Sequence, residues 1–366
     1  MFAILFAIFL RLLSFIGANH DAKDAHSGVQ LKCLYETNIK DMTWANERLN
    51  VITTRTTKPF LMAVLHNDLD RAVSLKLRDH GLWDPQVSGP LQFIVEERPC
   101  DKDSIVIDIG ANVGFISGLS LSLGCNTAIF EPQMRPYRAL EATLCLNRHV
   151  YKKLGVTFQL VNHPVSLAPH IHFPSENKEH RHNTGGVGAA DCLESQSKCT
   201  KRETIQLDAF MLGSFQEQIP TKSTNISRIL PGNTIRVLKI DAEGYESDVI
   251  GTMQQILSRK LVDNVLFEMM PHILGLESNL KALKALTDAG YHLAESPFAF
   301  LEGVRNVHKP YIKRVVPLSL PAAEELVTKM FNEKDHQNWK KKFLTDMWAS
   351  TDPGIFQRYN AAVVDA

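Results

Sequence analysis

Four apolar runs in the middle of the chain each end on an acidic residue, and each precedes a helical pattern. The runs are Ser104–Asp108, Thr127–Glu131, Ile235–Asp241 and Asn264–Glu268. This alternation of strand and helix predicts a doubly wound, mostly parallel sheet of the α/β, Rossmann-like kind. Ligands of such sheets bind beyond the carboxyl ends of the strands, where the strand order reverses. The terminal acids are therefore candidates for a functional site.

The length of 366 residues allows about two domains, or one large domain with extensions. The pattern predicts an N-terminal targeting segment, a helical N-terminal extension, an α/β domain with an inserted loop, and a helical C-terminal extension. Their bounds are 1–18, 19–100, 101–300 with the loop at 163–200, and 301–366.

Helical periodicity is the basis for both predicted extensions. An amphipathic helix is expected where leucine or valine recurs every four residues from Leu61 to Leu77. A second helix is expected from Pro321 to Lys342, with a basic end.

The first residues of the chain resemble a targeting signal. The apolar run Phe2–Leu10 is followed by Arg11, whereas a membrane-spanning helix needs about 20 apolar residues. A secretory signal cut near Gly17-Ala18 is favoured over a short membrane anchor, a transit sequence or an ordinary buried helix. We therefore expect a location in the secretory pathway, in the endoplasmic reticulum or Golgi lumen, membrane-anchored or secreted. The alternative is a cytoplasmic or organellar location.

The cysteines give a weaker indication of compartment. Cys125 and Cys145 lie in apolar stretches and are expected to be buried thiols. Cys192 and Cys199 flank a polar loop and could close a small disulfide in an oxidising compartment. A glycosylation sequon begins at Asn225.

The charges balance, with 40 Lys and Arg against 40 Asp and Glu. No global basic field exists to attract nucleic acid, so a small or neutral partner is expected. A histidine-rich stretch within the insert could bind a transition metal, but a solvated loop is the favoured interpretation. Its members are His163, His170, His172, His180 and His182.

The segment Asp108-Ile-Gly-Ala-Asn-Val-Gly114 lies where a buried strand leads into a helix. Gly110 allows a tight turn and close approach of a ligand, and Gly114 lets the helix begin close to the sheet. Dinucleotide enzymes use a G-x-G-x-x-G turn for the pyrophosphate, and Asn112 occupies the middle position here. An acid at Asp108 also suits a cationic methionine-like ligand better than a phosphate.

The turn therefore favours S-adenosylmethionine over a dinucleotide. Glu131 ends the second strand, where its carboxylate can accept both ribose hydroxyls of either cofactor. The candidate cofactor-binding residues are Asp108, Gly110, Asn112, Gly114, Glu131 and Asn162.

A second cluster follows the strand that ends at Asp241. Lys239, Asp241 and Glu243 alternate along an extended chain, so they can face one side of the sheet edge. Glu268 ends the next strand and is expected nearby. Such carboxylates can orient a substrate hydroxyl and accept its proton, so these four residues are the catalytic candidates. A structural salt-bridge network and a divalent cation site are alternatives, and we assign no metal ligand.

Together these motifs resemble the FkbM family of S-adenosylmethionine-dependent methyltransferases. The elements are Asp-Ile-Gly-Ala-Asn-Val-Gly at 108–114, Phe-Glu-Pro at 130–132, Leu-Lys-Ile-Asp-Ala-Glu-Gly-Tyr-Glu at 238–246, and Phe267-Glu268. The resemblance covers about residues 66–295. It implies a Rossmann-like class I methyltransferase fold and, most often, transfer of a methyl group to a hydroxyl oxygen.

The expected function is thus an S-adenosylmethionine-dependent O-methyltransferase acting on a hydroxyl of a glycan or small metabolite. The alternatives are a non-enzymatic scaffold that retains the fold, and a nicotinamide-dependent oxidoreductase. Membrane association through residues 1–18 is also expected as an option, and a nucleic-acid partner is not.

Overall fold

The computed structural model describes residues 41–44, 47–66, 69–174, 199–212, 234–296, 314–333 and 345–364. Several predicted features lie outside these residues: the segment 1–18, Cys192, the sequon at Asn225, and the basic end of the second predicted helix, near Lys342. In the described part, no helix is long and apolar enough to cross a membrane.

The region before residue 100 contains a three-stranded antiparallel sheet followed by two helices. The strands are β1 (Asp41–Trp44), β2 (Glu47–Thr53) and β3 (Leu61–Leu65), and the helices are α1 (Val73–His80) and α2 (Pro85–Glu97). The predicted helical extension is therefore corrected to a mixed sheet and helix region.

The strand β3 shows why the four-residue periodicity was misleading. The side chains of Met62 to Leu65 are all buried, which a continuous apolar run permits in a strand as well as in a helix. The backbone N–H of Ala63 donates to Thr143 Oγ1 at 3.0 Å. Only the last part of the predicted helix, from Val73, is helical.

The α/β pattern begins at residue 104 as predicted. Its first half comprises β4 (Ser104–Ile109), α3 (Phe115–Ser122), β5 (Asn126–Phe130), α4 (Met134–Leu146), α5 (Arg148–Leu154) and β6 (Phe158–Val161). The strand β5 pairs in parallel with β4 on one side and with β6 on the other.

The predicted inserted loop contains regular structure. An antiparallel pair is formed by β7 (His170–Pro174) and β8 (Cys199–Glu203), and α6 (Leu207–Met211) follows. The two ends of the insert are thus tied together by strand pairing, and His170 and His172 lie on a strand rather than in a loop.

The second half of the pattern lies on the other side of β4. It comprises β9 (Thr234–Ile240), α7 (Glu246–Gly251), α8 (Gln254–Ser258), β10 (Asn264–Met269), α9 (Pro271–Leu274), α10 (Leu276–Asp288) and β11 (His292–Ser296). The strand β9 is parallel to both β4 and β10. The order therefore reverses between β4 and β9, which is the switch point at which ligands bind in such sheets.

The C-terminal region completes the sheet instead of forming a helical extension. It comprises β12 (Val316–Leu318), α11 (Leu320–Phe331), β13 (Thr345–Ser350) and α12 (Ile355–Val364). The eight-stranded order is β12-β11-β13-β10-β9-β4-β5-β6. Because β13 is buried along its length and lies antiparallel between β10 and β11, the predicted boundary at residue 300 falls within the sheet.

The cysteine predictions are also corrected. Cys125 forms a disulfide with Cys100, which follows α2, and their Cα atoms are 5.2 Å apart. Cys145 is disulfide-bonded as well, so neither residue is a buried thiol. Cys199 is in a disulfide too, whereas its predicted partner Cys192 lies outside the described residues.

Candidate active site

The turn after β4 requires glycine at position 110. Gly110 has a φ of +74°, and a Cβ at this position would lie 1.7 Å from the backbone oxygen of Asp241. The N–H groups of Gly110 and Ala111 donate to the carbonyl of Phe130 at 2.9 and 3.0 Å. The turn is therefore pressed between the ends of β5 and β9, with no room for a side chain.

Gly114 has a packing role. Its φ is +90°, and a Cβ would lie 2.3 Å from Leu140 Cδ1 on α4. Glycine here lets α3 begin against α4, whereas the sequence predicted a close approach to the sheet. Asn112, which also has a positive φ of 51°, lies between the two glycines.

Glu131, directly after β5, is held by backbone donors. Its Oε2 accepts from the N–H of Asn112 at 2.7 Å, and its Oε1 accepts from the N–H of Gln133 at 2.8 Å. Its burial raises the pKa of the carboxyl to about 7. Asn162 supports the same segment, because its Nδ2 donates to the backbone carbonyl of Glu131 at 2.7 Å.

Lys239 ties the glycine turn to the carboxylates. Its Nζ donates to the carbonyls of Gly110 and Ile109 at 2.6 and 3.2 Å, and it forms ion pairs with Asp108 at 3.2 Å and Asp241 at 3.4 Å. Burial alone would lower the pKa of Lys239, but the carboxylates of Asp241 and Asp108 outweigh it and raise that pKa. Lys239 is therefore a fixed cation at neutral pH and cannot act as a base.

Asp108 lies deeper than a ligand-binding residue. Its side chain is fully buried, and its Oδ2 accepts from Ser117 Oγ at 2.5 Å. The acid thus anchors Lys239 and α3 beneath the turn.

Three carboxylates converge at the ends of β9 and β10. Single oxygens of Asp241, Glu246 and Glu268 all lie within 4.8 Å of one another. Glu246, which was not among the predicted candidates, accepts from the N–H groups of Ala242 and Gly244 at 2.8 and 3.0 Å. Burial raises the pKa of Glu246 to about 7. Burial, and then the nearby Asp241, raise the pKa of Glu268 well above its usual range.

Two further acids reach this cluster from distant parts of the chain. Asp346 on β13 is only 4% exposed and lies opposite Glu268 in the strand register. Asp84 precedes α2 with a φ of 52°, and its burial raises the pKa of the carboxyl to about 7. Neither Asp84 nor Asp346 was among the predicted site residues, and residue 346 falls in the predicted helical extension 301–366.

A cavity lies along this edge of the sheet, at the carboxyl ends of β4, β5 and β9. The strand β7 contributes apolar side chains to its wall. The lining includes Gly110, Asn112, Glu131, Asp241, Glu243, His163, Ile171 and Phe173. The other predicted site residues are not part of this lining: Asp108, Gly114, Asn162, Lys239 and Glu268.

A comparison with protein families identifies the family of the chain. Residues 108–293, slightly more than half of the chain, match the methyltransferase FkbM domain. The chain belongs to this family. It is an S-adenosylmethionine-dependent methyltransferase, in place of the oxidoreductase and scaffold alternatives.

Other comparisons add little. No curated protein matches the chain. A precorrin-6y C5,15-methyltransferase from Geobacter metallireducens GS-15 is 13% identical, with a TM-score of 0.30 over 61% of this chain and 79% of its own. A SAM dependent methyltransferase from Agrobacterium tumefaciens is 9% identical, with a TM-score of 0.37 over 82% of this chain and 70% of its own. At these TM-scores, neither structure supports a conclusion about this chain.

The residues around the cavity fit this cofactor. The Glu131 carboxylate borders the cavity and can accept the ribose hydroxyls. Gly110 presents bare backbone, and Ile171 and Phe173 offer an apolar surface for an aromatic base. Glu131, Gly110 and Asn112 are therefore the residues that could hold the cofactor. Asp108, Gly114 and Asn162 support these residues from behind.

Proposed function

We propose that the protein transfers a methyl group to a hydroxyl oxygen of a glycan or a small metabolite. The proposal rests on the position of Asp241. It lines the cavity that fits the cofactor, and it also belongs to the converging carboxylates with Glu246 and Glu268. A proton-accepting group thus lies beside the place where the methyl donor fits.

The chemistry of the acceptor explains why carboxylates are needed. Bound S-adenosylmethionine supplies an electrophilic methyl group on a sulfonium. An attacking hydroxyl must lose its proton as the new bond forms, and a nearby carboxylate can accept it. We assign this role to Asp241, because Lys239 stays protonated, Glu268 does not line the cavity, and Glu243, which does line it, is not one of the converging carboxylates.

The positioning of the two reactants contributes the rest of the rate enhancement. Methyl transfer is a displacement that needs the acceptor oxygen in line with the breaking bond, so a fixed geometry lowers the barrier. The two hydrogen bonds from Lys239 to the turn carbonyls join the cofactor side and the acceptor side of the cavity. Both reactants would therefore be held against one rigid sheet edge.

The charge of the site supports neutral acceptors. Asp241 and Glu243 line the cavity, and Glu246, Glu268, Asp346 and Asp84 lie around Asp241. Carboxylates accept hydrogen bonds from sugar and alcohol hydroxyls, whereas an anionic acceptor would meet like charges. A glycan or a small neutral alcohol matches this environment.

We further propose that the protein works in the secretory pathway. The disulfide between Cys100 and Cys125, together with the disulfide-bonded states of Cys145 and Cys199, supports an oxidising compartment. Detection of the protein in the lumenal fraction, with these disulfides oxidised, tests this proposal. Recovery only from the cytosol would contradict it.

The test of the function is methyl transfer by the Asp241→Asn variant. We expect the wild-type protein to form methyl ethers on members of a panel of neutral glycans and alcohols, detected by mass spectrometry. Loss of the proton acceptor should lower turnover by about 10²- to 10⁴-fold. Glu277→Gln is the matched control, because Glu277 is an exposed residue on α10 whose ion pair with Lys281 lies at the surface. Exclusive methylation of amines, or full turnover by Asp241→Asn, would contradict the proposal.

A further inference from the structure

The carboxylates beside the cavity carry more negative charge than their surroundings balance. Among the described residues, the one ion pair to Asp241, Glu246 or Glu268 comes from Lys239, which is shared with Asp108. Placing three carboxylate oxygens within 4.8 Å of one another in a mostly buried site is unfavourable unless protons or a cation are bound.

An independent observation points to a missing ligand at the same place. The Oδ2 atom of Asp346 is fully buried, and no described residue forms a hydrogen bond with it. Asp346 lies directly across from Glu268 in the β10–β13 ladder, so both side chains are on the same face of the sheet. The Asp346 carboxyl accepts a side-chain hydrogen bond from Gln86 and interacts electrostatically with Asp84 and Asp241, whereas its Oδ2 atom has no partner among the described residues. A buried, unpartnered carboxylate oxygen is unfavourable, and it lies against the cluster.

We propose that Asp241, Glu246 and Glu268 bind a hard divalent cation of the Mg²⁺, Mn²⁺ or Ca²⁺ class, with the free oxygen of Asp346 facing the same ion directly or through water. Such ions bind oxygen at about 2.0–2.6 Å, so two ligand oxygens on one ion lie up to about 4–5 Å apart. The observed spacing of 4.8 Å or less fits this range. The cluster contains no Cys or His, which makes zinc a poor match.

The local backbone prepares the site. The N–H groups of Ala242 and Gly244 fix the carboxylate of Glu246 through its Oε1. Lys239 holds Asp241 through an ion pair, with Nζ at 3.4 Å from Oδ2. Two of the three ligands are therefore oriented before an ion arrives, which favours binding of a cation over rearrangement of the cluster.

The cation would also serve the acceptor. An ion held by Asp241 would lie beside the cavity that Asp241 lines, where it can bind a hydroxyl oxygen and lower the pKa of that hydroxyl. The proton would pass to a carboxylate oxygen beside the cavity that is not bound to the ion, and the acceptor oxygen would take the methyl group as the methyl–sulfur bond of the sulfonium breaks and S-adenosylhomocysteine leaves. This second step rests on the proposed function, whereas the binding of the ion does not.

The experiment is a titration of the chelator-treated full chain with Mn²⁺, followed by electron paramagnetic resonance, and with Mg²⁺ and Ca²⁺ by calorimetry. We expect at least one of these ions to bind at one per chain. Glu268→Gln should weaken that binding at least about 10-fold by removing a charged ligand. Glu277→Gln should bind like the wild-type protein.

Circular dichroism and thermal melting show that each variant is folded, and Asp346→Asn provides a second variant at the edge of the site. Absence of saturable binding by the wild-type protein at millimolar ion would overturn the proposal, as would equal binding by Glu268→Gln. Ion binding without methyl transfer to hydroxyls would leave the site in place and contradict only the proposed function.

Discussion

The carboxylates on the two sides of the sheet edge lie in opposite environments. On the cofactor side, at the ends of β4, β5 and β6, each oxygen of Glu131 accepts a backbone N–H, at 2.7 and 2.8 Å. On the proposed acceptor side, at the ends of β9, β10 and β13, Asp241, Glu246 and Glu268 crowd one another, and Oδ2 of Asp346 has no hydrogen-bond partner among the described residues.

On the first side, the carboxylate finds its hydrogen-bond donors within the folded chain. On the second side, the crowded carboxylates need a bound proton, cation or acceptor. The cofactor side is preorganised, because backbone donors already fix its key acid. The acceptor side holds excess negative charge in a buried place, which is unfavourable until a proton, a cation or a hydrogen-bonding acceptor arrives. Substitutions should therefore affect the fold, the binding of the cofactor and the charge balance separately.

The largest effect should follow from Gly110→Ala. The new Cβ would meet the Asp241 carbonyl at 1.7 Å, and neither backbone segment can move without disturbing β4 or β9. We expect a loss of at least about 3 kcal/mol in the free energy of unfolding, or failure to fold.

Gly124→Ala is the matched control for this change. Gly124 has a φ of +92°, but a Cβ there would meet no heavy atom within 4 Å among the described residues, its chain neighbours aside. The cost should be about 1–2 kcal/mol of backbone strain alone. Chemical denaturation of both variants compares the two, and equal losses would show that the close approach of β9 to the turn does not matter.

A smaller effect, confined to the cofactor side, should follow from Glu131→Gln. The NH₂ group of the new amide cannot accept the hydrogen bond that one carboxylate oxygen now accepts from a backbone N–H group. It also cannot accept a hydrogen bond from a ribose hydroxyl. We expect the Kd for S-adenosylmethionine to rise about 10- to 100-fold, as for hydrogen bonds to a charged group. Equilibrium binding of the cofactor measures this, and an unchanged Kd would remove Glu131 from the cofactor site.

The smallest effect should be a pH dependence of stability. Burial raises the pKa of Glu131 and Glu246 from 4.5 to about 7 in the folded chain. The folded state therefore holds these protons more tightly, and the resulting stability is complete below pH 4.5 and is lost as the pH rises through 7. The melting temperature should thus be higher at pH 6 than at pH 8, by at least about 2 °C.

Two comparisons isolate this effect from other titrating groups. Glu246→Gln should flatten the dependence, because the amide does not titrate. A divalent cation added at pH 8 should recover part of the lost stability if the acceptor side binds it. A melting temperature that falls from pH 6 to pH 8 to the same extent in Glu246→Gln as in the wild-type protein would contradict the raised pKa of Glu246.

The cofactor side could be predicted because its signals are local. Asp108, Gly110 and Gly114 lie within one strand–turn–helix segment, and Glu131 ends the next strand. Asp241 and Glu268 were also found this way, since the carboxyl ends of parallel strands meet at one edge of the sheet. The resemblance to the family rested on the same segments, and the match of residues 108–293 confirms it.

The positions of Asp346 and Asp84 depend on contacts between distant segments, whereas Glu246 lies within the motif at 238–246 and was overlooked there. Asp346 reaches Glu268 because β13 lies in the sheet between β10 and β11. The short run Thr345–Ser350 has no alternation of apolar and polar residues that would predict a strand. Asp84 approaches from the region before the α/β pattern. Neither position carries a local motif, so only the folded chain brings these acids together.

The division of the edge into a cofactor side and an acceptor side is tested most directly by calorimetric titration of S-adenosylmethionine into Glu131→Gln and Glu268→Gln, each compared with the wild-type protein. We predict that Glu131→Gln weakens binding about 10- to 100-fold, while Glu268→Gln keeps the Kd within about 3-fold and loses turnover. Equal weakening in both variants would show that the carboxylates act as a single site, and would contradict the account.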